Sequence, residues 1–378
     1  MTGPLSHIKV LDLSRVLAGP WSTQILGDMG AEVIKIERPV HGDDTRSWGP
    51  PFIKNTDGSN GDAAYFHSTN RNKTSLSIDI TTEKGQMEIR ELAKNSDILV
   101  ENYKVGGLKK YGLDYKSLSE LNPNLIYCSI TGFGQTGPYA ERAGYDFMIQ
   151  AMGGLMSITG DTDENGGGPQ KVGVAIADLM TGMYATVGIL GALAHRDQTG
   201  EGQYIDLALL DCQIAMLANH TSNYLFTGKA PERHGNAHVS IVPYQTFKTR
   251  DGDMVLAIGN DSQFVQFSKL VESDWHNDDR FITNAGRVKN RELLIPEIDV
   301  IIKERTTKEW IELLEQHSVP CGPVNTLVDI LNDPHVIDRG VVQDIKSNDG
   351  QTIPIIANPI KYSKTPMVYS KAPPILKS

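Results

Sequence analysis

Asp178 stands where an extended apolar run, Val172 to Ala177, gives way to a helical pattern that starts near Leu179. A carboxylate at a helix start meets unpaired main-chain N–H groups and the positive end of the helix dipole, which favour its ionised form at neutral pH. Two roles suit that placement: the side chain caps its own helix, or it is a ready nucleophile. A second candidate, Gly132-Phe133-Gly134-Gln135-Thr136-Gly137-Pro138, has the glycine density of a phosphate-holding loop. It follows a strand and ends in proline, so it reads as a sharp main-chain turn. Glu37, at the end of the second strand, invites a dinucleotide reading. The loop before it supplies one glycine, Gly19, where G-x-G-x-x-G requires three, which argues against nicotinamide binding. With no P-loop, no HExxH and no paired Cys/His spacing, no metal site is expected.

The elements that must position these residues follow from patterning. Over the first 135 residues short β-like runs alternate with helix-like runs, as in a doubly wound parallel sheet. Strands are expected at Ile8 to Leu13, Ala31 to Glu37, Leu76 to Ile80, Ile98 to Val100 and Leu125 to Ile130. Helices are expected at Ser22 to Met29, after a loop from Ser14 to Pro20, and at Thr82 to Lys94. Tyr145 to Met156 and Asp178 to His195 are apolar on nearly all faces and read as buried helices. In the second, Gly182, Ala185, Gly188 and Gly191 recur every three residues, a stripe that permits close helix packing. Tyr204 to Leu209 suggests a further strand.

Near Thr227 the composition turns polar, and Arg250-Asp251-Gly252-Asp253 separates two strands of a hairpin, Gln245 to Thr249 and Met254 to Ile258. Residues 286–316 read as mainly helical, Pro320-Cys321-Gly322-Pro323 as a turn, and Pro359 to Pro374 as an extended surface segment. The expected organisation is α/β: a Rossmann-like large domain over residues 1–226, to which 331–378 returns, and a smaller α+β domain over 227–330.

A chain of 378 residues exceeds one ordinary core. Its 46 acidic and 36 basic side chains leave a net charge of −10, which offers no general attraction for nucleic acid or anionic membrane. Cys128, Cys212 and Cys321 form neither a CxxC pair nor an even disulfide framework, which suits a reducing compartment. MTGPLSHIKVLDL lacks a signal-like run, and no apolar stretch reads as a bilayer span, so a cytoplasmic protein is expected.

Several stretches, taken in order, resemble the class III CoA-transferases of the formyl-CoA transferase and carnitine CoA-transferase family. They are VLDLSRVLAGPWSTQILGDMGAEVIKIERP, HGDDTRSWGPPF, NRNKTSLSIDI, VENYKVGGLKKYGLDY, IYCSITGFGQTGP, AGYDFMIQAMGG, VGVAIADLMTGMYATVGILGAL and GNAHVSIVPYQTFKTRDG. NRNK, CSITGFGQTGP and AHVSIVPYQTFKT resemble the succinyl-CoA:dicarboxylate transferases of the hydroxymethylglutarate or glutarate type. The resemblance implies ring-shaped subunits threaded into an interlocked homodimer. Relatives usually continue past the PPIL segment into a further helical stretch, whereas this chain ends at Ser378.

The resemblance makes Asp178 the nucleophile, working through anhydride and aspartyl-CoA thioester intermediates. Coenzyme A or its acyl thioester enters as substrate and no cofactor stays bound. By position in the family pattern, Val16, Leu17 and Ala18 line the thiol end, Arg38 meets phosphate or adenine, and Ile78 and Asp79 flank the nucleotide. Asn102, Tyr103, Lys104 and Lys110 continue the groove, while Arg142, Ala143 and Tyr145 bound the pantetheine channel. Lys110 replaces a frequent Arg, a point charge for a fork. Gly235 and His238 are the candidate oxyanion and substrate contacts, with a surface-loop imidazole as the plain alternative for His238. Two other reactions stay open. A formyl- or acetyl-CoA:oxalate transferase shares the chemistry, and a 2-methylacyl-CoA racemase would need two acid/base groups. Such racemases carry His where this chain has Tyr145, and a phenol is a poor base at neutral pH.

Overall fold

Val10, Leu11, Val33, Ile98, Leu99, Val100 and Ile126 are all buried, and runs apolar on both sides of the pleat suit a parallel sheet covered by helices on each face. A computed structural model, describing residues 3–347 and 349–376, has that arrangement. The first unit runs through β1 (Lys9–Asp12), α1 (Ala18–Asp28), β2 (Glu32–Glu37), a hairpin of β3 (Phe52–Lys54) and β4 (Asn60–Ala63), and a short α2 (Ala64–His67). It continues with β5 (Lys73–Ser77), α3 (Glu83–Lys94), β6 (Ile98–Glu101), α4 (Tyr115–Leu121), β7 (Ile126–Thr131) and α5 (Asp146–Met152), and it breaks off at Leu155, the first residue of α6 (Leu155–Ile158). After α6 come α7 (Ile176–Thr199), β8 (Tyr204–Ala208), α8 (Leu209–Met216) and α9 (Asn219–Thr227). Six strands form one sheet in the order β5-β2-β1-β6-β7-β8, every neighbouring pair parallel.

The order reverses between β1 and β6, so the loops leaving their carboxyl ends open a crevice, the usual ligand position in such sheets. Beneath it lies a buried charge network in which Asp12 meets Lys73 at 3.0 Å, Lys35 meets Asp43 at 2.9 Å, and Glu37 meets Arg46 at 2.7 Å. Charges persist in a core only when paired in this way. The returning tail is tied down by Asn72, whose Nδ2 donates to the Val368 carbonyl and whose Oδ1 accepts from Ser370 N.

Several expectations change. The first helix begins at Ala18 because Pro20 falls in its first turn, where a missing N–H costs nothing. β5 lies three residues earlier than read, at Lys73–Ser77. Gly182 packs against α1, where an added Cβ would lie 2.6 Å from the Ala18 carbonyl, but nothing lies within 4 Å of one added at Gly191. The stripe is thus split between a packed face and an open one. Val187 is 62% exposed, and Tyr145, Phe147, Met148 and Met152 are exposed as well, so neither helix is buried all round. At 24 residues α7 is also long and apolar enough, by length and composition, to cross a membrane, contrary to the reading that no stretch was. Its Ala177, Thr181, Gly182, Ala185, Thr186, Ile189 and Ala192 face is buried within the unit.

The second unit comprises Met156–Gln170 and Ala230–Pro334, adding 156–170 to the expected range, and the chain from His335 onward returns to the first. It contains β9 (Tyr244–Lys248), β10 (Asp253–Ala257), α10 (Asp261–Leu270), α11 (Asn284–Lys289), α12 (Arg291–Ile302), α13 (Thr307–Gln316), β11 (Cys321–Pro323) and α14 (Leu327–Leu331). Residues 321–323, read as part of a turn, form the edge strand of an antiparallel sheet ordered β11-β10-β9. Phe264, Phe267, Trp275, Phe281, Ile298 and Trp310 fill its own core. Beyond α15 (Pro334–Asp338), β12 (Val342–Lys346) and β13 (Thr352–Ile356) pair as an antiparallel hairpin.

Candidate active site

The α7 start differs from the capping picture. Ala175 occupies the cap position without a side-chain bond, and Asp178 is the third helical residue. The cap comes from α5: Asp146 Oδ1 accepts from Ala177 N at 2.8 Å and from Asp178 N at 3.4 Å. Gln150 Nε2 donates to the other oxygen of Asp146 at 2.7 Å, while Gln150 Oε1 accepts from Val172 N at 2.9 Å. This brace fixes the loop that leads into α7. Asp178 therefore does not cap its helix, and among the described residues no group donates a hydrogen bond to its carboxylate.

Its ionisation also differs from expectation. Burial, and then the neighbouring Asp146 carboxylate, push the Asp178 carboxyl up to about 7, so the free acid and the anion are both accessible near neutrality. Tyr65 on α2 faces the same two carboxylates, and burial followed by their charges pushes its phenol up to about 12, where it remains a hydrogen-bond donor. The Trp48 ring stands edge-on to Tyr65 with centroids 5.4 Å apart. Asp146, Gln150, Tyr65 and Trp48 were not selected from the sequence as site residues. HGDDTRSWGPPF and AGYDFMIQAMGG hold three of them and were the available signal.

The crevice at the β1 and β6 ends brings together part of the expected groove. Val16 is held at a φ of 71°, its N–H shared by both Asp43 oxygens at 3.3 Å, and Leu17 and Ala18 are buried behind it. Asn102 bridges the two loops, accepting from Arg15 N at 2.9 Å and donating to the Arg15 carbonyl at 2.7 Å, so its amide is committed to positioning. The Arg15 guanidinium lies 5.8 Å from the Tyr103 ring centroid. Arg38 pairs with Asp44 at 2.8 Å on the rim.

Lys104 lines a cavity of about 330 Å³ with Glu101, Tyr115, Tyr127, Gln135 and Tyr204. Burial pushes the Glu101 carboxyl up to about 7. Lys110 lies over the Tyr111 ring at 4.7 Å, and Arg142 lies over Tyr139 at 4.5 Å and Phe133 at 5.4 Å. Ala143 and Tyr145 are exposed just ahead of α5. Ile78 belongs to the apolar layer under the sheet, and Asp79 closes a local turn by accepting from Thr81 N and Oγ1.

In the second unit, Gly235 has a φ of 58° and donates its N–H to the Gly160 carbonyl. His238 Nδ1 accepts from Ser240 N at 3.0 Å, its ring meets Tyr244 at 5.4 Å, and Arg291 holds the loop through the His238 and Val239 carbonyls. The imidazole is therefore an ordered part of the loop.

The model of CoA-transferase family III matches residues 5–378. The chain is 49% identical over 378 residues to a succinate–glutarate CoA-transferase of Agrobacterium fabrum, covering 99% of this chain and 93% of that one. It is 44% identical over 374 residues to a succinyl-CoA:glutarate CoA-transferase of Mus musculus, covering 99% and 84%. Among solved structures, a CAIB/BAIF family protein from Brucella suis superposes with a TM-score of 0.87 at 48% identity, covering 100% of this chain and 97% of that one.

Proposed function

We propose, because the chain belongs to CoA-transferase family III, that it transfers CoA from succinyl-CoA to a free dicarboxylate of the glutarate type. The carrying observation is the 49% identity, across nearly both full lengths, to the succinate–glutarate CoA-transferase. The site supports the reading with a half-buried carboxyl, Asp178, that is released from capping by Asp146.

In this reading an Asp178 oxygen attacks the thioester carbonyl of the donor, the C–S bond breaks, and the CoA thiolate leaves a mixed anhydride. The thiolate then attacks the aspartyl carbonyl carbon, expelling the donor acid as a carboxylate and leaving an aspartyl-CoA thioester. The acceptor carboxylate attacks that thioester and frees the thiolate. The thiolate finally attacks the acceptor side of the new anhydride, releasing acyl-CoA and the Asp178 carboxylate. Charge and protons balance without an external acid. A racemase would place its base at Tyr145, whose ring is 65% exposed at the helix start and not enclosed in a site.

A second copy of the chain suits the outward apolar faces of α7 and α9, where Val187 is 62% and Phe226 90% exposed. An interlocked homodimer would keep its mass on dilution in sedimentation, whereas a folded, active monomer would refute it. Substrate choice is tested by incubating the protein with succinyl-CoA and a panel of acids and reading new acyl-CoA species by mass spectrometry. Glutarate or a related C4 to C6 dicarboxylate should react fastest. Faster turnover with oxalate, formate or carnitine would overturn the assignment.

A further inference from the structure

We infer that Asp146 is a positioning residue of the transfer reaction, one that holds the Asp178 main chain in place and uses its own charge to drive Asp178 into the acylated state. The inference rests on the reading of Asp178 as nucleophile. Its geometric basis is that the free N–H groups at the α7 start, which ordinarily stabilise a carboxylate in the first turn, are given to Asp146. Asp178 then sits beside a fixed anion without the donors that would offset it. Gln150 holds the second Asp146 oxygen and Val172 N together, which resists rotation of the Asp146 carboxylate away from this position.

Among the described residues no opposing charge acts on Asp178. On α2 the Tyr65 phenol feels the charges of Asp178, Asp146 and Asp43, and on α1 the uncharged Trp21 packs beside Gly182, one turn beyond Asp178. On α8 the Cys212 thiol bonds Thr181, and burial keeps it protonated. Lys171, the nearest cation along the chain, donates to the Val172 and Gly173 carbonyls and is exposed. Among the described residues, no salt bridge reaches Asp178.

The arrangement has a chemical direction. Ionised Asp178 repels Asp146, whereas the anhydride and the thioester are neutral at the Asp178 carbonyl, so each acylation relieves the repulsion. Destabilisation present only in the free enzyme lowers the barrier to the covalent steps. Asp146 forms no bond to substrate in this account.

The test compares Asp146→Asn and Asp146→Ser with Gln150→Met. Either neutral residue keeps an oxygen for Ala177 N, and two variants guard against one misfolding. The readout is the pH profile of kcat/KM for succinyl-CoA, with hydroxylamine trapping of the Asp178 peptide alongside. Wild type should show an acid limb near 7. Both neutral variants should move that limb down by about one unit or more and slow transfer above it by about tenfold. Gln150→Met, which loosens the brace without removing charge, should slow transfer and leave the limb in place. A folded neutral variant with an unmoved limb and full rate would overturn the inference. Absence of trapping at Asp178 in wild type would instead overturn the nucleophile reading beneath it.

Discussion

Asp43 accepts the Val16 N–H on both carboxylate oxygens, each at 3.3 Å, and keeps this β-branched residue in the left-handed region at a φ of 71°. That conformation costs about 1–3 kcal/mol and occurs where surrounding structure enforces it. Here the enforcing group is itself anchored by Lys35 at 2.9 Å, with neither side chain exposed. Val16→Gly should relieve the strain and lose about 1 kcal/mol of backbone entropy, leaving stability nearly unchanged. Asp43→Ala should cost about 3–5 kcal/mol, because Lys35 is left buried without the carboxylate it pairs with. Urea unfolding separates the two. A Val16→Gly loss as large as that of Asp43→Ala would refute the strained-loop account.

The same network sets acid stability. Burial alone would raise the Asp12 carboxyl, but Lys73 and Lys35, aided by Ser14 and Thr23, bring it down to about 2 from the ordinary 3.8. A carboxyl lowered in the fold contributes its full stability above the unfolded value and loses it as pH falls through the folded one. Stability from this group should hold down to about pH 4 and decline toward pH 2, by on the order of 2 kcal/mol. Lys73→Met should flatten that interval. An undiminished decline in the variant would show that the acid sensitivity lies elsewhere.

Asn102 and Lys104 neighbour each other in the chain yet should fail differently. Asn102 spends both ends of its amide on Arg15, so Asn102→Ala should lower kcat and thermal stability together by displacing the loop before Val16. Lys104 lines the cavity beyond β6, and Lys104→Ala should raise KM for succinyl-CoA by about tenfold through a lost charge-assisted contact, with kcat retained. Steady-state kinetics and melting curves decide the matter. A kcat loss in Lys104→Ala equal to that in Asn102→Ala would contradict the division.

Strands such as Ile98–Glu101 and Ile126–Thr131 were legible because two-sided burial demands unbroken apolar runs. The β3–β4 hairpin was not, since Asn60–Ala63 carries Asn, Gly and Asp, whose preferences are those of turns. Gly19 and Pro20 concealed the start of α1 for the same reason. Asp178 could be found from residue order, but its capping partner lies 32 positions away, and only the tertiary approach of α5 to α7 reveals it. Its ionisation departs from the sequence expectation accordingly, because the local helix end predicts a stabilised anion and burial beside Asp146 does the reverse.

Asp178→Asn tests that reversal by stability as well as by rate. A carboxyl raised in the fold from the ordinary 3.8 to about 7 binds a proton that the unfolded chain has already released. Wild-type stability should therefore fall as pH rises through this interval and level off above it. Asn carries no such penalty and nearly the same volume. The variant should match wild type near pH 4 and exceed it by on the order of 4 kcal/mol above pH 7, while transfer falls by several powers of ten because an amide cannot form the anhydride. Urea unfolding at both pH values, with deamidation excluded by mass, reads the first effect. A variant less stable than wild type at all pH values would indicate that Asp178 serves the fold, and retained turnover would remove it from the reaction.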